Sequence, residues 1–403
     1  MTDTPFRIDV AEAEQLIRNA MPEFGSCTVP LAESTGQVLA EPVIAERDQP
    51  PFDRATMDGI AVTAAALADG RREFQCTGTQ AAGAPQLELG SADDCMEVMT
   101  GAVMPAGTDT VIPVERINKT GDSCVIESDY AAAPRQFVHP RASDHRQGDT
   151  LLEPGFVIGA PEMAILTAAG QATIEISRWP AIAIISTGDE LVDVGETIAT
   201  QQIRSSNDRA IEAALQLAGC RTTKRSRLPD DADQLREGIA KLHEEAGVLI
   251  LSGGVSMGKY DYLPGVLEQL GVRLVFHKIL QRPGLPMWFG VSAVGKPVFA
   301  LPGNPVSTLV CLTRYVIPAI SAALGRCNEE QDMELAEAID FQPDLCWFLP
   351  VATDKQAGIV HPRPTNTSGD FIGLRGTTGV IELPRGRTHF AAGERFRYWP
   401  WRA

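Results

Sequence analysis

The sequence predicts a multidomain protein of α/β plus β class, and three observations carry that prediction. Nearly all-apolar segments at 181–185, 248–251 and 297–300 alternate with stretches of helical period. That is the pattern of a parallel sheet covered on both faces, a three-layer α/β domain. Residues 46–145 instead hold short alternating runs broken by Gly, Pro and Asp, the mark of an inserted β-rich domain. After Gly325 the composition turns to short strands and many turns, which predicts a C-terminal β domain of barrel-like form.

Each element follows in order. Asp9 is placed to cap a first helix over 11–21, with Val10, Leu16, Ile17 and Met21 on one face. The inserted region predicts strands at 59–62, 110–114 and 124–127, and a second helical piece at 161–169 leads to a strand at 172–176. From Trp179 the alternation is strict. Strand 181–185 ends in Ser186-Thr187-Gly188-Asp189-Glu190, and helix 208–218 closes on Gly219, a residue suited to a C-terminal cap. Helix 233–245 leads to strand 248–251 and the loop Ser252-Gly253-Gly254-Val255-Ser256. Strand 297–300 meets the turn Leu301-Pro302-Gly303-Asn304-Pro305, followed by an apolar helix over 307–324. In open sheets of this kind ligands bind beyond the carboxyl ends of the strands, where these loops sit. The division read from this is 1–45 with 146–178 as a helical linker domain, 46–145 as the inserted domain, 179–326 as the α/β domain and 327–403 as the C-terminal β domain.

Composition narrows the function classes. With 44% hydrophobic and 22% charged residues the chain has the make-up of a folded globular protein. Its purely apolar runs are too short to span a bilayer, and the first residues carry no apolar signal region, so a cytoplasmic location is expected. The eight cysteines are scattered with no CxxC pair, which predicts buried structural thiols rather than a zinc or redox site. A net charge of −17 argues against nucleic acid as a partner. The one basic run, RTTKRSR at 221–227, reads as the exposed face of a strand.

Taken singly, the loops have two readings each. A Ser-Gly-Gly turn lets backbone N–H groups approach a phosphate, or merely connects a strand to a helix tightly. Glu190, Asp230 and Asp261 at strand ends offer hard oxygen ligands, or are solvated surface or helix caps. In combination they are more specific. TMDGIAV (56–62), MTGAVMPAG (99–107), STGDEL (186–191), SGGVSMGKYDY (252–262), RPGLPMWFG (282–290), LPGNPVS (301–307) and SGDFIGL (368–374) occur in this order. The set resembles the molybdopterin molybdenumtransferase family, which includes the C-terminal domain of gephyrin, over essentially the whole chain.

The resemblance implies an elongated homodimer of four-domain subunits. Its cleft would lie between the molybdopterin-binding α/β domain of one subunit and the inserted domain of the other. It implies adenylylated molybdopterin and molybdate as substrates, magnesium as the cation, release of AMP, and the molybdopterin adenylyltransferase as a further partner. By motif matching, the catalytic set is Asp58, Glu190, Asp230, Asp261 and Lys278, with Glu190, Asp230 and Asp261 as metal ligands. Thr100, Arg141 and Asp144 would bind substrate, as would Ser186, Thr187, Gly188, Ser252, Gly253, Gly254 and Ser256. Arg282, Pro302, Gly303, Pro305, Ser307 and Ser368 complete the substrate-binding set. The chemistry is coherent, because cleaving a phosphoanhydride-like bond calls for a hard cation held by carboxylates, and Lys278 would neutralise charge on the departing adenylate.

The chain departs from the family pattern at several basic positions. Arg282 and Leu285 stand where lysines flank the Pro-Gly, His139 stands in place of an arginine, and Cys346-Trp347-Phe348-Leu349-Pro350 replaces a basic stretch. Arg363, Arg375 and Arg385 are the cations available to compensate. Two other readings therefore accompany the transferase: a non-catalytic molybdopterin-binding or scaffold paralogue, and a nucleotide hydrolase of the wider superfamily.

Overall fold

Strand placement in the computed structural model follows burial. The structure describes residues 7–255, 262–327, 330–354 and 356–402. The chain divides into two compact units, one within residues 1–41, 154–161 and 173–403, the other within 42–153 and 162–172.

The first unit is built on a six-stranded sheet. Ile182–Thr187, Val248–Ser252 and Pro297–Leu301 are buried along their whole length, as their apolar sequences require. Thr223–Leu228 forms the half-exposed edge beside Ile182–Thr187, and these four strands run parallel. The expectation of a purely parallel sheet needs correction at the other edge. Trp288–Val291 and Arg273–His277 join it antiparallel. Only residues 292–296 connect Trp288–Val291 to Pro297–Leu301, and Ser292 N–H donates to the Lys296 carbonyl at 2.9 Å. That is a hairpin, too short for the crossover that a parallel pairing demands.

Alternate side chains of each strand enter different cores. Ile182, Ile184, Val248 and Ile250 pack with Ile211 and Leu215 of helix Asn207–Leu217 and with Ala13 and Ile17 of helix Val10–Ala20. Ala183, Ile185, Leu249 and Leu251 pack with Leu235 and Ile239 of helix Ala232–Glu245 and with Val266 and Leu267 of helix Leu263–Gln269. The result is the expected three-layer sandwich. Each fully buried aliphatic side chain contributes about 1.5–3 kcal/mol of burial free energy.

Some local expectations changed. Asp9 occupies the cap position of the first helix but makes no side-chain capping bond; its carboxylate faces Arg385 at 3.3 Å. The predicted helix over 307–324 is a continuous helical segment from Pro305 to Ala323 with a wide π turn at Leu312–Val316. Pro318 lacks the N–H of a regular helix and its ring crowds the carbonyl four residues back, which the wide turn accommodates. This segment is, among the described residues, the one helix long and apolar enough to cross a membrane, yet most of it is buried in the core of the first unit. The thiols are more varied than expected: Cys95, Cys124, Cys220, Cys311 and Cys346 are buried, whereas Cys27 and Cys76 are half-buried and Cys327 is exposed.

At the C-terminus, Cys346–Asp354, Ile359–Pro362, Asp332–Leu335, Arg395–Pro400 and Gly379–Leu383 pair in that order, and the last strand pairs back to the first. This closed barrel removes free edges around a core that includes Leu335, Leu349, Val360, Ile381 and Phe390.

The second unit holds another six-stranded sheet, ordered Thr110–Pro113, Gly59–Val62, Asp94–Val98, Glu73–Gln80, Ser123–Ile126 and Ile117–Thr120. The basic run at 221–227 behaves as an edge-strand face. Lys224 pairs with Glu245 at 2.6 Å, Arg225 with Asp208 at 2.7 Å and Glu212 at 2.8 Å, and Arg221 donates to the carbonyls of Glu33 and Thr35.

Candidate functional site

Because Ile182–Thr187, Val248–Ser252 and Pro297–Leu301 are parallel, their carboxyl ends bring three loops that are far apart in sequence to one rim. They enclose a chamber of about 900 Å³, a size suited to a cofactor-sized ligand. Ser186, Thr187, Gly188 and Glu190 line it from the first loop, Ser252, Gly253 and Gly254 from the second, and Pro302, Gly303 and Pro305 from the third. Asp230, beyond strand Thr223–Leu228, lines it as well. Eleven of the residues expected from the sequence thus share one cavity.

Gly253 has to be glycine. Its φ is +102°, and a Cβ there would stand 2.8 Å from the Thr187 carbonyl oxygen. Its backbone therefore comes close to Thr187 and leaves the turn open to a ligand. Beside it, Ser186 Oγ and Thr187 Oγ1 are buried without a hydrogen-bond partner among the described residues. Buried hydroxyls are ordinarily satisfied, so two neighbouring orphans on the wall of a cavity mark places for ligand oxygens.

Glu190 and Asp230 bring carboxylates from different loops to the chamber, and the Asp230 N–H donates to Asp189 Oδ1 at 3.2 Å. Among the described residues no three His, Cys, Asp or Glu side chains converge on a common metal position. Asp261, the third expected ligand, and Ser256 lie outside the described residues.

A second chamber of about 730 Å³ adjoins the first, and Pro286, Pro302 and Asn304 line both. Arg282, Ser307 and Ser368 belong to it, with Leu285 and Trp347 on its wall. Lys278 is half-buried and lines neither chamber. Arg363, Arg375 and Arg385 line neither, and Arg385 is engaged by Asp344 at 2.6 Å. The structure therefore gives no support to compensation by those three arginines.

The remaining expected residues are in the second unit. Asp58 Oδ1 accepts from the Thr100 N–H at 2.6 Å and from its hydroxyl at 2.9 Å. Those bonds, the backbone one first, hold the Asp58 carboxyl below the ordinary aspartate range. A Cβ on Gly59 would collide with the Ile112 carbonyl oxygen, so the residue after Asp58 must also be glycine. Arg141 Nε donates to Asp48 at 2.7 Å and its N–H to Asp53 at 2.8 Å. His139 Nε2 lies 2.9 Å from Asp144 Oδ1, and Nδ1 lies 3.1 Å from the Arg54 guanidinium. Since arginine only donates, Nδ1 accepts and Nε2 carries the proton toward Asp144.

Comparison with known proteins decides the family. Three family models match in succession: the MoeA N-terminal region (domain I and II) over residues 8–170, a probable molybdopterin binding domain over 183–322, and the MoeA C-terminal region (domain IV) over 332–401. The molybdopterin molybdenumtransferase of a Synechocystis strain is 40% identical over 398 residues, covering 98% of this chain and 100% of that protein. The chain belongs to the molybdopterin molybdenumtransferase family. A Staphylococcus aureus member is 29% identical over 395 residues, covering 96% of this chain and 94% of its own length. A crystal structure of a Pyrococcus molybdopterin biosynthesis MoeA protein superposes with a TM-score of 0.82 at 28% identity, covering 98% of this chain and 99% of that one.

The molybdopterin molybdenumtransferase motifs missed the stretch 198–207, which lines the chamber and supplies Asn207 and Arg204 to it. Asn207, at the start of helix Asn207–Leu217, donates from Nδ2 to Ser252 Oγ at 2.9 Å and to the Gly303 carbonyl at 2.7 Å. Arg204 also lines the cavity and donates to the Asp193 carbonyl at 2.5 Å. The only sequence signal was Arg-Ser-Ser-Asn ahead of an amphipathic stretch, which announces a helix start and nothing about a ligand.

Proposed function

We propose that this chain inserts molybdenum from molybdate into adenylylated molybdopterin and releases AMP, in a magnesium-dependent reaction. One observation carries the proposal: the orphaned hydroxyls of Ser186 and Thr187, the Ser-Gly-Gly turn and the carboxylates of Glu190 and Asp230 line one cavity inside the segment matched by the molybdopterin-binding model. A phosphate-bridged substrate fits this wall. The N–H group of Gly254 and the hydroxyls of Ser186, Thr187 and Ser252 offer donors to its oxygens. The amino end of helix Asn207–Leu217 adds favourable partial charge.

Two carboxylates on the cavity wall suit magnesium, which is usually bound through one or two carboxylates together with substrate phosphates. Glu190 and Asp230 would hold it, with Asp261 as the third ligand that the resemblance supplies. Bound there, the cation would neutralise charge that develops on the cleaved phosphate. The protein's own part is to fix the bridge in place on the Gly253 turn and to exclude water around it. Arg204 supplies a cation at the cavity. Lys278, which lines neither chamber, is given no contact with substrate in this scheme.

The homodimer, with Asp58 and Thr100 serving the partner's α/β domain, belongs to the same proposal. So do the cytoplasmic location and receipt of substrate from the molybdopterin adenylyltransferase. A scaffold paralogue is the less favoured reading, because the curated relatives named as transferases match along the whole chain. The purified protein with adenylylated molybdopterin, molybdate and magnesium should release AMP, and omission of molybdate should leave the molybdopterin without molybdenum. Tight substrate binding without AMP release would favour the scaffold.

A further inference from the structure

The sheet of the second unit carries a cluster of thiols that the proposed reaction does not use. Cys76, Cys95 and Cys124 come from three adjacent strands, with Glu73–Gln80 between Asp94–Val98 and Ser123–Ile126. Far apart in sequence, they share one core with Phe74, Ile112 and Ile126. The Cys95 thiol lies within hydrogen-bonding reach of both the Cys124 and the Cys76 thiol. Among the described residues no trio of such side chains is placed to hold a metal ion, which leaves bond formation between two of the three sulfurs.

Backbone pairing selects the two. A disulfide needs Cα atoms about 4.4–6.8 Å apart. Cys76 and Cys95 are direct partners in a parallel ladder, where neighbouring strands lie about 4.7–4.9 Å apart. Cys124 stands opposite Phe74 in an antiparallel ladder, so Cys76 is its diagonal neighbour at about 7–8 Å. Cys95 and Cys124 are two strands apart, about twice the strand spacing and beyond reach. Exposure sets the order of events. Along Glu73–Gln80 the inward side chains run from buried Phe74 to half-buried Cys76, and a Cβ on Gly78 would meet open space. The core therefore opens to solvent at Cys76, while Cys95 beside it is fully buried.

We infer that Cys76 and Cys95 form a reversible oxidation site, which peroxide closes to a cross-strand disulfide. Hydrogen peroxide oxidises the Cys76 sulfur to the sulfenic acid; its O–O bond breaks and one water leaves. The Cys95 sulfur then bonds to the Cys76 sulfur as the S–O bond breaks, and the Cys95 proton departs with the hydroxyl group as a second water. Burial, and after it the neighbouring thiols, pushes the Cys95 thiol up, so Cys95 stays protonated and is not itself the point of attack. Cys124 remains a thiol.

Full-length Cys327→Ser protein is the parent for the test, because the exposed Cys327 thiol would otherwise bridge two molecules. Reduced protein is treated with hydrogen peroxide, denatured and alkylated, and its peptides are mapped by mass spectrometry. The peptides that hold Cys76 and Cys95 should be joined, and dithiothreitol should separate them and restore both thiols. Cys124→Ala should form the same bridge, and Cys76→Ser should form none. Should Cys124→Ala fold poorly, alkylated Cys124 in the oxidised parent shows that it stays outside the bridge. Oxidation of Cys76 to the sulfinic acid with no joined peptide, a joined pair that includes Cys124, or a Cys76 left unoxidised would overturn the inference.

Discussion

Asn207 holds Ser252: its Nδ2 lies 2.9 Å from the Ser252 hydroxyl while also donating, at 2.7 Å, to the carbonyl of Gly303. One side chain at a helix start thereby ties together two of the three glycine-containing loops of the chamber. Each bond is worth about 0.5–1.5 kcal/mol net. Asn207→Ala should lower kcat/KM by about tenfold through loss of loop alignment, with little change in melting temperature. A kinetic comparison in which Asn207→Ala matches wild type would remove the residue from the account.

The orphaned hydroxyls of Ser186 and Thr187 give a prediction of opposite sign for stability and binding. A buried polar group without a partner costs about 1–3 kcal/mol. Thr187→Val keeps the shape and removes the hydroxyl. The ligand-free protein should therefore become more stable while affinity for a phosphate-bearing ligand falls. Melting curves and AMP titrations on the same preparation check both halves. A variant that loses stability and keeps affinity would show that the hydroxyl serves the fold instead.

Asp58 should titrate below the ordinary aspartate value of about 3.9, because it accepts two bonds from Thr100. With the folded value depressed, the stabilising effect of these bonds is present above the unfolded pKa and is lost as pH falls through the folded one. Thr100→Val removes only the hydroxyl bond. The midpoint, followed by carboxyl-carbon NMR, should move up part of the way, since the backbone N–H remains. An unchanged midpoint would mean that the hydroxyl bond is not formed in solution.

Arg314 is 4% exposed and bridges Glu14 of the first helix at 2.7 Å and Glu382 of the barrel at 2.9 Å, with its guanidinium 4.3 Å from the Trp399 ring centroid. Burial works against its charge, and the two carboxylates more than offset it. Removing one member of such a network typically costs about 3–5 kcal/mol. Arg314→Ala should therefore show a clearly lower melting temperature by calorimetry, with AMP affinity of the folded protein unchanged. Wild-type stability in this variant would contradict the bridging role.

How far the sequence could be read depended on whether the signal was local. The three loops of the chamber were legible because glycine, proline and acidic residues follow nearly all-apolar strands, and parallel strands gather such loops at one end. The barrel was legible in outline from its short strands. The antiparallel placement of Trp288–Val291 was not, since its apolar character suits either direction and only the five-residue connection decides. Asn207 was hidden because its partners, Ser252 and Gly303, lie 45 and 96 residues away. Asp9 looked like a cap and is drawn to Arg385 instead, a residue near the far end of the chain.

The most direct test of the central claim is single-turnover AMP release from adenylylated molybdopterin, with molybdate and magnesium present, for wild type and Asp230→Asn. The substitution is nearly isosteric and removes one of the two described carboxylates proposed to hold the cation. The account predicts release by wild type, and release by Asp230→Asn that is lost at limiting magnesium and recovered in part at high magnesium. Release by Asp230→Asn at the wild-type rate when magnesium is limiting would contradict it.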